Sequence, residues 1–204
     1  THHHFDHTGG VATLAAGVDV TVFGPQNPAI ECLTRRLSAG DRVRVLDIEF
    51  EVLEVPGHTL DHIAYIHRGE QPLLFCGDTL FAGGCGRVFE GTPVMMHQSL
   101  QALAVLPGAT RVYCAHEYTL ANLAFARAVE PGNDALAERN RLAEAARSRG
   151  EPTVPSTLAL ELATNPFLRC EQPDLKNELK QQGKLEGETG AEVFSTVRAW
   201  KDNF

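Results

Sequence analysis

Thr1-His2-His3-His4-Phe5-Asp6-His7 opens the chain, and its reading decides most of what the fold can be. Three imidazoles, then a carboxylate and a fourth imidazole, run into the Gly9-Gly10 pair at the head of an apolar stretch. His2 and His4 lie two positions apart, so in extended chain they point the same way. Asp6 and His7 are adjacent, so they diverge and can reach toward a second centre. Such a segment suits two neighbouring metal ions, and imidazole with carboxylate favours zinc, iron or manganese over calcium. Three histidines at a chain start also fit the remnant of a purification tag. A tag would lead into linker or an initiator Met, whereas Asp6-His7 follows here.

The 204 residues are enough for one domain or two small ones with a sizeable core. A hydrophobic content of 43% and a charged content of 22% are those of an ordinary globular protein. The net charge of −8 offers no basic excess for phosphates, so no nucleic-acid partner is expected. No apolar run approaches the length that spans a bilayer, so no membrane role is expected either. Cys32, Cys76, Cys85, Cys114 and Cys170 are odd in number and never spaced C-x-x-C. They read as reduced thiols, which points to the cytoplasm. Cys76 and Cys114 close apolar runs and are expected to be buried bystanders. No strand precedes His2, and the chain is read as a fragment lacking N-terminal strands.

Local patterning predicts a helix over 11–18 and a short strand over 20–23. A half-buried strand over 46–55 stops at Pro56-Gly57, just before His58. Strands are predicted over 64–67 and 73–76, the second running into Gly77-Asp78, and over 111–114, running into Ala115-His116. Strand ends thus deliver His4, His58, Asp78 and His116, on a sheet that would hold them rigidly. Helices are predicted near 94–106 and 118–129. From Pro131 strand signals vanish, and helices are expected over 134–149, 174–182 and 191–200. This divides the chain into a metal-binding part, 1–130, and a helical part, 131–204.

The series T-H-x-H-x-D-H, Pro56-Gly57-His58-Thr59, Gly77-Asp78-Thr79-Leu80-Phe81 and Ala115-His116-Glu117-Tyr118-Thr119 resembles the ligand series of the metallo-β-lactamase fold. Gly84-Cys85-Gly86-Arg87, Phe89-Glu90-Gly91-Thr92, Asn165-Pro166-Phe167-Leu168-Arg169 and the closing Arg198 to Phe204 narrow the resemblance to glyoxalase II, the hydroxyacylglutathione hydrolases. The resemblance implies an α+β fold, an αββα sandwich with a C-terminal helical domain. It implies two divalent metal ions, zinc first, with iron or manganese as alternatives. His2, His4 and His58 would hold one, Asp6, His7 and His116 the other, and Asp78 would bridge them. Asp6 and Asp78 would be the catalytic carboxylates. His3 and His62 fit no ligand slot, and His67 and His97 are expected at the surface.

The implied reaction is hydrolysis of S-(2-hydroxyacyl)glutathione, typically S-lactoylglutathione, the second step of methylglyoxal detoxification. Arg87, Phe89, Tyr118, Arg198 and Lys201 would contact the glutathione thioester, and Phe89 lacks the hydroxyl that some members carry there. A monomer is the expected state. Arg198 and Lys201 at i,i+3 also fit a solvated helix face. Rival readings are a glutathione persulfide dioxygenase, a lactonase or β-lactamase of the same fold, and an inactive fragment that still binds metal.

Overall fold

The computed structural model describes every residue from Thr1 to Phe204. The strands are β1 (Phe23–Pro25), β2 (Arg35–Leu37), β3 (Arg42–Val45), β4 (Ile48–Glu54), β5 (Ile63–His67), β6 (Leu73–Gly77), β7 (Leu80–Phe81), β8 (Gly84–Cys85), β9 (Arg111–Cys114) and β10 (Ser156–Thr157). The helices are α1 (Phe5–Thr8), α2 (Val11–Ala15), α3 (Pro93–Ala104), α4 (Thr119–Val129), α5 (Asp134–Ser148), α6 (Leu158–Thr164), α7 (Pro173–Gln181) and α8 (Gly190–Asp202).

Period-two alternation sets the two faces of the main sheet. Ala64 and Ile66 on β5, Leu74 and Cys76 on β6, and Val112 on β9 face one way. They join Met96, Leu100, Phe125, Leu175 and Phe194 from the helices in one core cluster. Burying each large side chain in that cluster contributes roughly 1.5–3 kcal/mol. Val43, Phe50, Val52 and Ile63 face the other way and meet Leu37 of β2, with Phe23 of β1 packed against them. The sheet order is β10-β9-β6-β5-β4-β3, antiparallel except for the parallel β6–β9 pair, and β1 with β2 forms a separate parallel pair. This is the mixed α/β architecture of the expected fold, with helices layered on one face of the sheet.

Helix starts follow capping chemistry. Thr92 accepts the amide of Met95 ahead of Pro93, and Thr189 with Glu192 forms a reciprocal capping box.

Several boundaries differ from the sequence reading. The predicted strand over 46–55 forms as β4, and it is the second arm of a hairpin whose first arm, β3, lies before it, turning through Leu46 and Asp47 at φ 48° and 64°. A left-handed Leu-Asp turn carries no glycine signal, which hid β3. The first strand forms at Phe23–Pro25 rather than over 20–23, and α2 stops at Ala15. The 131–204 segment is not free of strand: β10 adds to the edge of the main sheet beside β9, and α6 follows it. Two residues are too short a run for alternation to register. His97 is buried against Phe194 rather than exposed, because it lies on the core face of α3.

Gly57 turns the chain from β4 toward His58 at φ +152°, a conformation L side chains rarely adopt. A Cβ there would meet the Met96 Cα at 2.7 Å, and Gly91 abuts from the other side. Gly57→Ala is therefore expected to lower stability by about 1–3 kcal/mol, read as a lower urea midpoint. An unchanged midpoint would show that α3 yields.

Candidate metal centre and adjoining cavity

The loops beyond the strand ends meet the first seven residues. Asp78 follows β6 directly, His116 lies two residues beyond β9, and His58 follows the Pro56-Gly57 turn after β4. His4 is not at a strand end. It precedes α1, and that helical turn brings Asp6 and His7 to the same side, where both gather with His116 instead of diverging.

Three overlapping donor groups result: His2, His4 and His58; His2, His7 and Asp78; and Asp6, His7 and His116. Ligand atoms of His2, His4 and His58 all lie within 4.8 Å of one another, and so do those of Asp6, His7 and His116. Asp78 sits between them: its Oδ2 is 3.6 Å from His58 Nε2 and 3.4 Å from His116 Nε2. Its Oδ1 is 3.1 Å from His7 Nε2, yet the pair is misaligned for a hydrogen bond. His2 Nε2, His7 Nε2 and Asp78 Oδ1 are buried polar atoms without a partner. Orphaned nitrogens and a carboxylate oxygen facing one another are what divalent cations would satisfy, so the donor set fits the metals the sequence implies.

Neighbouring groups fix how these rings present themselves. His58 Nδ1 donates to the Arg87 carbonyl at 2.8 Å, which leaves the Nε2 lone pair toward His4 and Asp78. Burial drives the His2 imidazole pKa far below its ordinary value, and burial also lowers that of His58. Burial alone would raise the Asp78 carboxyl, but His7, His116 and His58 hold it below the ordinary carboxylate value.

His62 is the residue that ligand spacing missed. It is buried, accepts the Asp78 amide at Nε2 (3.0 Å), and faces the Thr79 hydroxyl through Nδ1 at 3.3 Å. It therefore holds Asp78 from behind as a neutral ring, with burial taking its pKa down to about 3. The i+4 spacing from His58 was the available signal. His3 points away from the donor sets, with Nδ1 3.0 Å from Asp61 and Nε2 3.1 Å from Glu90. Cys114 bonds the backbone oxygen of His116 rather than its ring, and burial raises its thiol pKa, so it is no nucleophile. It is half-buried, and all five cysteines are free.

A cavity of about 630 Å³ opens against the donor sets. His4, Asp6, His58, Asp78 and His116 are among its lining, and Arg87, Phe89, Tyr118, Arg198 and Lys201 line it as well. All five residues expected at the substrate are thus brought to one cavity. Phe89 is 62% exposed and meets His4 and His58 edge-on, while Tyr118 stacks on His116 with ring centroids 5.2 Å apart. Arg198 is no solvated helix residue. It is 5% exposed, donates to the Cys85 carbonyl and to Asp202, and keeps only Nε without a partner. Arg87 and Lys201 are the freer cations, Arg87 3.6 Å from Asp202 and Lys201 bonded to the Ala121 carbonyl. Burial lowers the Lys201 pKa, with help from the Arg198 and Arg87 charges.

Buried neutral imidazoles predict acid sensitivity. His62 and the buried His97 both have folded pKa values below the ordinary 6.5, so between that value and their own the unfolded chain binds more protons. Stability is then lost as pH falls below 6.5, by up to about 1.4 kcal/mol per pH unit for each such group. Urea unfolding of metal-free protein at pH 7.5 and 5.5 should show this loss, and His62→Gln should reduce it.

Comparisons with known proteins identify the family. A family model described as "Metallo-beta-lactamase superfamily" matches residues 1–116, and one described as "Hydroxyacylglutathione hydrolase C-terminus" matches residues 117–204. A hydroxyacylglutathione hydrolase of Pseudomonas aeruginosa is 56% identical over the whole chain, which spans 79% of that relative. One from Hahella chejuensis is 51% identical, again over the whole chain and 80% of the relative. Among solved structures, ETHE1 from Myxococcus xanthus aligns over 98% of this chain and 74% of its own, at 26% identity and TM-score 0.61. TTHA1623, solved in a di-iron-bound form, aligns over 82% of this chain and 75% of its own, at 28% identity and TM-score 0.55. The chain belongs to the hydroxyacylglutathione hydrolase family of the metallo-β-lactamase superfamily.

Proposed function

We propose that this enzyme hydrolyses the thioester of S-(2-hydroxyacyl)glutathione, typically S-lactoylglutathione, to glutathione and a 2-hydroxy acid such as D-lactate. The observation that carries this reading is a pair of donor sets with Asp78 between them, opening onto a cavity lined by three cationic side chains. In this reading residues 1–130 form the catalytic part and residues 131–204 the helical substrate-binding part. His2, His4 and His58 bind one ion, Asp6, His7 and His116 the second, and Asp78 both. Zinc is the first candidate, with iron or manganese as alternatives. A relative solved with two irons keeps iron in view.

Two bound cations would polarise the thioester carbonyl and make a nearby water acidic enough to lose its proton near neutral pH. The remaining tasks fall to side chains. Asp6, exposed at the cavity, would orient the attacking water as well as bind metal, and Asp78, whose carboxyl pKa lies below its ordinary value, would be available as a carboxylate. The departing glutathione thiolate, with an ordinary thiol pKa near 8.5, needs little help from an acid, so no separate acid is required. Arg87 and Lys201 grip the glutathione carboxylates, with Arg198 behind them, and Phe89 and Tyr118 form the apolar walls.

Metal analysis tests the centre directly. The protein loaded with zinc, iron or manganese should hold two ions per chain and lose thioester hydrolysis on chelation. Asp78→Ala should cost more than about a hundredfold in kcat/KM and reduce the bound metal, since both ions lose a ligand. One ion per chain at full activity would refute the dinuclear centre.

The grip on glutathione is tested by Lys201→Ala. A contact remote from the scissile bond binds ground and transition states alike, so KM should rise roughly tenfold while kcat barely changes. A thioester of a small neutral thiol should not notice the change. Loss of kcat with both substrates would make Lys201 a structural residue.

A further inference from the structure

Glu161 on α6 is completely buried, and it faces the guanidinium of Arg139 from α5. Arg139 is buried too, and also donates to Thr164 Oγ1 at 2.6 Å and Ser156 Oγ at 3.2 Å. A buried ion pair is a costly way to stabilise a core, so its other contacts are informative. The second Glu161 oxygen accepts the Gly83 amide at 2.9 Å and the Asn165 side-chain amide at 3.1 Å. Asn165 donates in turn to the Gly84 carbonyl at 2.9 Å and the Phe81 carbonyl at 3.3 Å. Asn122 reaches the Ala82 carbonyl at 3.2 Å.

These bonds converge on one element. The β7–β8 hairpin pairs with no other strand, so its turn carries backbone groups that the main sheet cannot satisfy. Residues of α4, α6 and the segment after α6 satisfy them instead. The hairpin also lies flat on α4, since a Cβ at Gly83 or Gly84 would meet Leu123 at 2.9 Å or Asn122 at 2.6 Å. Phe81 and Cys85 of the hairpin, with Gly86 and Arg87 just beyond it, form one edge of the cavity. Asp78, only two residues before the hairpin, has its own anchor in His62.

We propose that Glu161 and Arg139 are positioning residues for the substrate-gripping edge of the cavity: through Gly83 and Asn165 they fix the hairpin that carries Phe81, Cys85 and Arg87, without touching metal or substrate. The idea rests on the thioesterase reading for its kinetic consequence, though not for its structural one. It predicts that loosening the pair shifts the Arg87 side chain and the Cys85 carbonyl that Arg198 holds, while the Arg87 carbonyl stays on His58 and the donor sets stay in place.

Glu161→Gln keeps an acceptor for Gly83 but removes the charge opposite Arg139. Asn165→Ala keeps the ion pair but frees the two hairpin carbonyls. Both variants should raise KM for the glutathione thioester roughly tenfold, with kcat within about threefold and metal content unchanged. KM for a thioester of a small neutral thiol should stay constant. Amide hydrogen exchange should speed up across 81–87 and not across β5 and β6. A lower melting temperature with unchanged KM and unchanged exchange in the hairpin would overturn the proposal, as would failure of both variants to fold in the cold. If the unmodified protein does not hydrolyse the thioester, the functional reading fails, and exchange in the hairpin alone then decides the positioning role.

Discussion

Lone pairs aimed at one another are the constraint on which this structure turns. His2, His4, His7, His58 and His116 bring acceptor nitrogens into one small volume with Asp6 and Asp78. Partnerless buried acceptors cost free energy unless cations occupy the space between them. A chain that assembles such a cluster needs rigid support from outside it. The sheet supplies part, because Asp78 and His116 leave from β6 and β9, which pair in parallel and end side by side. Hydrogen bonds behind the rings supply the rest: Arg87 holds His58, His62 holds Asp78, and Asp61 with Glu90 holds His3 between two ligands.

The helical segment is not a lid attached to a finished catalytic unit. Its residues enter the sheet at β10, complete the core through Phe167, Leu175 and Phe194, and satisfy the backbone of the β7–β8 hairpin. Arg198 shows how far this goes. It lines the cavity, yet two of its donor groups already serve Cys85 and Asp202. Its removal would therefore disturb the cavity wall as well as any bound carboxylate, and Lys201 gives the cleaner measure of substrate grip.

Much of this was legible in the residues. The donor series is local in sequence or follows strands with clear alternation, so His58, Asp78 and His116 could be placed before any coordinates. The five long helices from α3 onward, α6 excepted, appeared within a few residues of their expected limits because each carries a cap or a breaker. What escaped has physical reasons. The β3–β4 turn adopts left-handed angles without glycine, β10 is too short for a pattern, and α6 is a helix of only seven residues. The roles of His62, Glu161 and Arg139 depend on contacts across 16, 78 and 22 residues, which no local spacing reveals.

The segment that opens the chain has one more consequence. Neither α1 nor α2 buries a single residue, and Phe5, Leu14 and Val18 stand in solvent. Apart from a backbone bond between Thr1 and Ile63 and the contacts of His3 with Asp61 and Glu90, the anchors of this stretch are its own donor atoms. Were ions held there as proposed, the order of this stretch would depend on them. In a cell short of metal, residues 5–21 would become the first peptide offered to a protease, and the rate of clipping there would report occupancy of the centre without any substrate at all.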